Sequence, residues 1–378
     1  MLKTNFNMKI GILTFWNTKD NYGQLLQCFA MQKFFEKMGH DAFLVKCDFE
    51  AKLPITIEML LEKVIRALLN PIFYIKKITE REEKLFIPVE SYQNRHFDLF
   101  LKKYIHSTKE VYTYSQLLSS CVEADAFVCG SDQIWSGLSP LFFLQFASKK
   151  TKCLACAPSL GGVHVHWYER NRIKRYLSKF CYLTAREEDG VNELHKLGFK
   201  NAELMPDPTL LLHMNDYSYL EENESKLIPK DKYLFLYLLG NPIGIDVKDI
   251  FDFAKQRNLK IVYVASQGRK DVFPKVTPTI GEWLSLIKNS DYVITNSFHG
   301  TVFSLQYHKK IGILPLVGEY AKMNSRITTL LNKYKIFNHF LYDKDLTVIE
   351  KAIDYNYFEL TKEEDFLKFS SDIDFVLK

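Results

Sequence analysis

Short apolar segments alternate along the chain with longer segments whose apolar residues recur every three or four positions. The first unit is the clearest: residues 8–15 read as an apolar strand, 17–23 as a polar loop, and 24–38 as a helix that ends at Gly39. Strands that alternate with amphipathic helices are typical of a parallel α/β sheet. The pattern therefore predicts an α/β fold built from repeated strand–helix units.

The same pattern divides the chain into two α/β domains. Residues 1–215 form the predicted N-terminal domain, 216–231 a polar linker without strand signal, and 232–378 a C-terminal domain that ends in a tail helix. Sheets of this type bind ligands at the carboxyl ends of their strands. We therefore expect two Rossmann-like domains that face a common cleft.

One segment departs from the strand–helix alternation. Residues of about 52–114 form a predicted helical insertion, and apolar residues recur at helical spacing over 56–79. Two interpretations stay open: a helical lid packed on the sheet, or an interfacial helix that rests on anionic lipid. The second rests on the basic residues of the segment, namely Lys63, Arg66, Lys76 and Lys77.

Composition and charge narrow the class of protein. The chain has 378 residues, of which 47% are hydrophobic and 25% charged, and this excludes a disordered or collagen-like protein. A net charge of +5 is too small to indicate nucleic-acid binding, but it suits an anionic small substrate or acidic lipid. No apolar run approaches the ~20 residues of a membrane span, and the polar N-terminus resembles no signal peptide. We therefore expect a cytoplasmic protein.

The cysteines do not indicate a metal site. Cys153 and Cys156 form a C-x-x-C motif, but no second pair follows at zinc spacing. Both fall in an apolar stretch that reads as a buried strand. We therefore predict reduced core thiols and neither a metal nor a cofactor.

The segment around His299 combines several reactive groups. The predicted strand 292–295 runs into Asn296, Ser297, His299 and Gly300, where a helix begins. The first turn of a helix favours phosphate or carboxylate, and histidine can transfer a proton near neutral pH. The alternative is a helix cap with a buried, hydrogen-bonded histidine. The position at a strand end favours a functional role.

Two arginines are candidates for anion binding, since a guanidinium can grip a carboxylate or phosphate at two points. Arg186 directly follows the strand 182–185, although a surface ion pair with Glu187 or Glu188 would also explain it. Arg326 lies at the start of a predicted helix, where an exposed helix residue is the alternative.

Two loops offer groups that suit a sugar. The loop after the strand 124–129 contains a carboxylate, an amide and an aromatic ring, although a turn with Asp132 as helix cap is the alternative. A weaker candidate loop follows the first strand and lacks dinucleotide-binding glycine spacing. Asp207, between two prolines, reads as a turn residue rather than a catalyst. The candidate acceptor-binding residues are Asn21, Tyr22, Gly23, Ser131, Gln133 and Trp135.

Taken together, these segments resemble the polysaccharide pyruvyltransferase family. The resemblance spans residue 8 to about residue 334, and each motif is weak alone but the six in order are specific. The matching stretches are Gly11 to Phe15 with Asn21-Tyr22-Gly23, Gly130 to Trp135, Arg186-Glu187, Asp207-Pro208-Thr209, Asp291 to Gly300, and Asn324 to Ile327.

The resemblance implies two Rossmann-like domains in an arrangement similar to GT-B glycosyltransferases. Members move the pyruvyl group of phosphoenolpyruvate onto two hydroxyls of a sugar as a cyclic ketal. The acceptor is often a cell-surface or capsular polysaccharide or its polyprenyl-diphosphate-linked precursor. His299 matches the family's essential histidine and Arg186 an arginine thought to hold the donor. Some members have arginine where this chain has Ser297, so Arg326 is our candidate for the second cation.

The reaction requires a proton on the methylene carbon of the donor, and we assign it to His299. Asp132 would orient or deprotonate the acceptor hydroxyl. The donor would bind on the C-terminal domain and the acceptor on the N-terminal one. Donor-binding residues would be Arg186, Arg326, Asn296, Ser297 and Gly300. The rivals are a GT-B glycosyltransferase that uses a nucleotide sugar and a non-catalytic saccharide-binding protein; the acceptor sugar and the oligomeric state stay open.

Overall fold

The computed structural model describes residues 7–71, 95–119, 122–240, 243–266 and 269–378, and within them ten parallel strands form two sheets. The first sheet contains β1 (Lys9–Leu13), β2 (Asp41–Leu44), β3 (Ala126–Cys129), β4 (Lys152–Ala155), β5 (Tyr182–Ala185) and β6 (Glu203–Leu204), in the order β2-β1-β3-β4-β5-β6. The second contains β7 (Tyr233–Leu238), β8 (Lys260–Ala265), β9 (Tyr292–Thr295) and β10 (Lys310–Ile313), in the order β10-β9-β7-β8. The predicted α/β fold with two parallel sheets is confirmed.

The helices of the described residues connect and cover these strands. In the N-terminal half they are α1 (Tyr22–Lys37), α2 (Ile57–Leu69), α3 (Phe97–Tyr104), α4 (Tyr114–Ser119), α5 (Arg170–Leu177) and α6 (Glu188–Lys196). In the C-terminal half they are α7 (Val247–Gln256), α8 (Ile280–Asn289), α9 (Phe298–Gln306), α10 (Ser325–Lys333) and α11 (Tyr355–Leu377).

The apolar strand runs end up buried on both faces, as expected where helices cover a parallel sheet. All six residues of β7 are buried, and so are all four of β3. Burial on both faces explains why these strands read as continuous apolar runs rather than as alternating ones. The carboxyl ends of the strands then lie at one edge of each sheet.

A continuous apolar core joins the two sheets beside α1. The ring of Tyr22 stacks on Trp283 of α8 with 5.2 Å between centroids, and its hydroxyl donates to the Pro278 carbonyl at 2.7 Å. Arg95 lies over the same ring and donates to the Ala265 carbonyl at 2.7 Å, at the end of β8. Because this interface is large and apolar, it holds the carboxyl ends of the two sheets opposite each other.

The tail helix α11 begins earlier than its apolar pattern predicts and bridges both halves. Phe366 packs on Phe34 of α1 at 5.7 Å between centroids, and Lys152 of β4 donates to the Leu377 carbonyl at 2.6 Å. Lys333 of α10 pairs with Asp365 at 2.8 Å. The helix assigned by sequence to the C-terminal domain therefore also packs on the N-terminal one.

Helix α2 of the predicted insertion turns its polar side toward the protein. Its charged residues form ion pairs with α5 and the residue before it: Glu58 with Arg175, Glu62 with Arg172, and Arg66 with Glu169. The middle pair is buried, with Arg172 Nη2 2.7 Å from Glu62 Oε2. The spacing of four residues places all three on one helix face. The apolar face is left exposed, at Ile57, Leu60, Leu61, Val64 and Leu68.

Lys76 and Lys77, which the sequence adds to this basic segment, lie outside the described residues.

The cysteine prediction concerns β4 and the loop after it, where Cys153 and Cys156 are free and buried. Burial raises the pKa of the Cys153 thiol to about 11. Across the described ranges, no helix has both the length and the apolar character that crossing a bilayer demands.

Candidate active site

The carboxyl ends of both sheets supply one buried polar cluster. Ser131 follows β3, Arg186 follows β5 and Asp207 follows β6, while His299 lies in the first turn of α9 after β9. All four side chains are buried. Thr14 at the end of β1 donates to the Ser131 carbonyl at 2.8 Å and thereby fixes the β3 loop. The cluster thus combines residues that the sequence separates widely.

Asp207 joins the cluster together. Its Oδ2 accepts from Arg186 Nη1 at 2.7 Å and from Ser131 Oγ at 2.5 Å. Its Oδ1 accepts from the amide and hydroxyl of Thr209, at 3.1 and 2.7 Å, and so caps a short 3₁₀ turn. The sequence interpretation of Asp207 as a turn residue is therefore incomplete, because its second oxygen holds Arg186.

Nearby opposite charges stabilise the ionised forms of both Asp207 and Arg186. Burial alone would raise the pKa of Asp207, but His299, Arg186 and the Ser131 hydroxyl hold that pKa well below its usual range. Burial alone would likewise lower the pKa of Arg186, yet the carboxylates of Asp207, Glu187 and Asp132 raise it. The pair is therefore ionised at neutral pH.

His299 is held between the two domains. Its Nε2 lies 3.5 Å from Asp207 Oδ2, beyond the usual hydrogen-bond range, and has no hydrogen-bond partner within the described residues. The other edge of the ring packs against Gly23 in the first turn of α1. A Cβ at position 23 would lie 2.0 Å from His299 Nδ1, so the ring fits there only because residue 23 is glycine.

Arg186 and Arg326 face one small cavity. Within the described residues, Nε and Nη2 of Arg186 are buried without a hydrogen-bond partner, and the guanidinium lies 4.7 Å over the Phe298 ring. Burial and the charge of Arg186 lower the pKa of Arg326 to about 10, so it too is charged at neutral pH. The cavity that both line measures about 20 Å³, the room of one water molecule. Buried cations with unsatisfied donors are the groups that an anion-binding site requires.

The loop after β3 supplies two further groups. Asp132 adopts a left-handed backbone conformation with φ of 77°, which costs a non-glycine residue about 1–3 kcal/mol and is frequent at functional sites. The Asp132 carboxylate accepts a hydrogen bond from the backbone N–H of Gln133 at 2.8 Å. With its side-chain oxygen turned to Arg326, Gln133 accepts from Nη1 at 2.8 Å. The side chain of Gln133 is therefore hydrogen-bonded to Arg326, the arginine of this cavity that follows in the C-terminal half.

Other predicted site residues serve the fold instead. Trp135 is buried, stacks on Phe143 at 5.0 Å and donates to the Phe142 carbonyl, so it offers no free face to a sugar. Tyr22 is the buried interdomain contact described above. Asn296 accepts from the Leu239 amide at 2.7 Å and donates to its carbonyl at 2.9 Å, which ties β9 to β7. Because Trp135 and Tyr22 are buried, the expectation that they contact the sugar is corrected.

Three more candidates act as local caps or spacers. Asn21 Oδ1 accepts from the Gln24 amide at 3.2 Å and caps α1, while Ser297 Oγ accepts from the Gly300 amide at 3.2 Å and caps α9. A Cβ at Gly300 would lie 2.6 Å from Thr295 Oγ1. These residues shape the helix starts that present Gly23 and His299.

Glu187 is a site residue that the sequence interpretation missed. The alternative of a surface ion pair with Arg186 does not apply, because both residues are buried. Its Oε1 accepts from Ser159 Oγ and the Leu160 amide, both at 2.9 Å, and its Oε2 has no hydrogen-bond partner within the described residues. Its position directly after a strand was the signal available.

Comparisons with known proteins identify the family of this chain. Residues 21–311 match the family described as "Polysaccharide pyruvyl transferase", a range that contains Gly23, Asp207 and His299. No curated protein sequence matches the chain significantly.

Similar solved structures are distant. UDP-GlcNAc 2-epimerase from Methanocaldococcus jannaschii shares 14% identity, covers 86% of this chain and 93% of its own, and has a TM-score of 0.47. UDP-GlcNAc 2-epimerase from Neisseria meningitidis, bound to UDP-GlcNAc, shares 12% sequence identity. The match covers 96% of this chain and 100% of the epimerase chain, with a TM-score of 0.45. The glycosyltransferase SnogD from Streptomyces nogalater shares 10% sequence identity. The match covers 99% of this chain and 100% of the SnogD chain, with a TM-score of 0.43. At these scores they carry no inference about activity.

Proposed function

Because the chain belongs to the polysaccharide pyruvyl transferase family, we propose that it transfers the pyruvyl group of phosphoenolpyruvate onto two hydroxyls of a saccharide as a cyclic ketal. The observation that supports this most is the convergence of His299, Asp207 and Arg186 in one buried cluster with unpartnered guanidinium donors. A proton donor and an anion site side by side are what this reaction demands.

The proposed chemistry has two additions at the same carbon. His299 Nε2 donates a proton to the methylene carbon of the donor, which leaves an oxocarbenium ion at C2. One sugar hydroxyl adds to C2 and gives up its proton. Phosphate then leaves with the C2–O bond electrons, and the second hydroxyl adds to the new oxocarbenium ion, again losing a proton. The products are the ketal and inorganic phosphate.

In this scheme Arg186 and Arg326 hold the phosphate and carboxylate of the donor. Two buried guanidinium groups that line one cavity repel each other until an anion lies between them. Phosphoenolpyruvate is larger than a cavity of about 20 Å³, so donor binding requires this cavity to open.

We assign acceptor activation to Asp132 on the N-terminal domain. Its carboxylate lies in the loop after β3, close enough to Arg186 and Arg326 for their charges to interact. Its strained backbone holds it at the same sheet edge as Arg186. The donor would then contact both domains, while the acceptor approaches from the N-terminal side.

The role of Arg326 can be tested by calorimetric titration with phosphoenolpyruvate. We expect Arg326→Gln to weaken donor binding roughly 10-fold or more, since a hydrogen bond to a charged group contributes about 1.5–3 kcal/mol. Lys149→Ala, at an exposed position away from the site, should bind like the wild type. Equal affinity of Arg326→Gln and wild type would contradict the proposed donor site.

We further propose that α2 rests on an anionic bilayer, which would bring the enzyme to a lipid-linked acceptor. Its apolar face is exposed, with Ile57 80% and Leu68 76% accessible, while Glu58 and Glu62 are turned inward into ion pairs. An exposed apolar helix face without free carboxylates suits an anionic membrane surface.

Vesicle co-sedimentation tests this membrane contact. The wild type should bind vesicles of phosphatidylglycerol and phosphatidylcholine at low salt, and Leu61→Ser/Leu68→Ser should reduce the bound fraction several-fold. The control Leu360→Ser/Leu367→Ser removes two equally exposed leucines from α11 and should bind normally. Absence of wild-type binding at low salt, or equal loss in both variants, would refute the proposal.

A further inference from the structure

A buried side-chain amide joins the end of α9 to the segment that contains Asp207. Gln306 is the last residue of α9 and is 2% exposed. Its Nε2 donates to the Thr209 carbonyl at 2.7 Å and to the Leu212 carbonyl at 3.1 Å. Both N–H bonds of the amide are therefore used, and both acceptors belong to the N-terminal half of the chain.

Lys362 of α11 fixes the orientation of this amide. Lys362 is itself buried, and its ammonium donates to Gln306 Oε1 and, at 3.2 Å, to Glu359 Oε2. Because an ammonium can only donate, the oxygen of the Gln306 amide faces Lys362 and the NH2 group faces the two carbonyls. The tail helix α11 thereby determines which atoms Gln306 presents to the N-terminal half.

Thr209 continues this network from Gln306 to the buried cluster. Its carbonyl accepts from Gln306 and also, at 3.1 Å, from the Tyr217 hydroxyl. Its amide and hydroxyl donate to Asp207 Oδ1, while Oδ2 of the same carboxylate accepts from Arg186 at 2.7 Å. Hydrogen bonds therefore run without a break from α11 to an arginine of the candidate anion site.

We propose that Gln306 is a positioning residue for the ion pair of Asp207 and Arg186. It acts through Thr209, whose amide and hydroxyl hold the Asp207 carboxylate in place. Loss of the amide removes a donor from two buried backbone carbonyls, so the turn that contains Asp207 loosens. That Arg186 then holds phosphoenolpyruvate less tightly rests on the proposed function, whereas the positioning of Asp207 does not.

Backbone hydrogen exchange tests the positioning without any ligand. We expect Gln306→Met, which keeps the length of the side chain but removes both donors, to speed exchange of the Thr209 amide roughly 10-fold or more. Gln145→Met is the matched control, since Gln145 Nε2 also joins two carbonyls, that of Phe143 at 2.7 Å and that of Tyr176 at 3.3 Å. Unchanged exchange in Gln306→Met, or an equal change in both variants, would overturn the proposal.

Lys362 provides a second variant that retains the glutamine. Lys362→Met replaces a buried cation by an apolar side chain of similar length and leaves the Gln306 amide free to turn. Exchange of the Thr209 amide should rise several-fold, and the double variant Gln306→Met/Lys362→Met should exchange no faster than Gln306→Met alone. Unchanged exchange in Lys362→Met, or a further rise in the double variant, would show that Lys362 does not act through Gln306.

Calorimetric titration with phosphoenolpyruvate measures the consequence for the anion site. Gln306→Met should bind phosphoenolpyruvate several-fold more weakly than the wild type, and Gln145→Met should match the wild type. Equal affinity of Gln306→Met and wild type would contradict the coupling to Arg186. Failure of the proposed function is distinguishable, because it would appear as absent phosphoenolpyruvate binding by the wild type while exchange of the Thr209 amide still depends on Gln306.

Discussion

Replacing His299 with alanine is expected to lower the rate of pyruvyl transfer by ~10²–10⁴ or more, while folding and donor affinity are largely retained. A positioned acid contributes a factor of this size when proton transfer occurs in the transition state. Nε2 of His299 is the candidate donor, since it faces Asp207 without a hydrogen-bond partner in the part of the chain that the structure describes. Phosphate release from phosphoenolpyruvate in the presence of acceptor measures the rate.

Two further variants make this result specific to proton donation. His299→Gln keeps a polar side chain of similar reach but has no titratable proton, so it should be as inactive as His299→Ala. His308 forms an exposed ion pair with Glu359, so His308→Ala should retain full activity. A His299→Gln variant with near wild-type turnover would exclude His299 as the acid.

Replacing Asp207 with asparagine is expected to abolish activity and to destabilise the protein by about 3–5 kcal/mol, the usual cost of breaking a buried ion pair from one side. The change leaves the buried Arg186 guanidinium without its carboxylate, and replaces by an NH2 group one of the two oxygens that accept from Ser131 and Thr209. Urea unfolding measures the loss. Asp231→Asn, which breaks an exposed pair with Lys260, should cost about 0–1 kcal/mol.

The destabilisation should depend on pH in a defined direction. The pKa of Asp207 is lowered in the folded protein, so the carboxylate contributes stability above its unfolded pKa of about 3.9 and loses that contribution as pH falls through the folded value. The stability difference between wild type and Asp207→Asn should therefore be constant near neutral pH and shrink at acid pH, below about 4. A difference that grows on acidification would contradict the ionised pair.

The strands and the main site candidates could be predicted because their signals are local. Apolar runs marked the strands of both sheets, and polar residues directly after them marked Arg186 and His299. In parallel sheets such positions meet at one edge, so a strand-end position already indicates a shared site. A helix cap at Ser297 is likewise recognisable as the alternative at the start of that helix.

What could not be predicted depends on contacts between distant segments. The need for glycine at position 23 follows from the His299 ring that packs on it, and no local pattern contains that information. Trp135 reads as an exposed aromatic in a polar loop, but later turns bury it against Phe143. For α2, amphipathicity defines two faces without saying which is inward; the arginines of α5 decide that.

The central claim is that the buried cluster binds phosphoenolpyruvate as donor, and calorimetric titration of the wild-type protein tests it most directly. Phosphoenolpyruvate should bind with measurable heat and raise the melting temperature, while uridine and guanosine diphosphate sugars should do neither at the cluster. Binding of a nucleotide sugar without phosphoenolpyruvate would contradict the account and indicate a glycosyltransferase. Saccharide binding without any donor would indicate a non-catalytic binding protein.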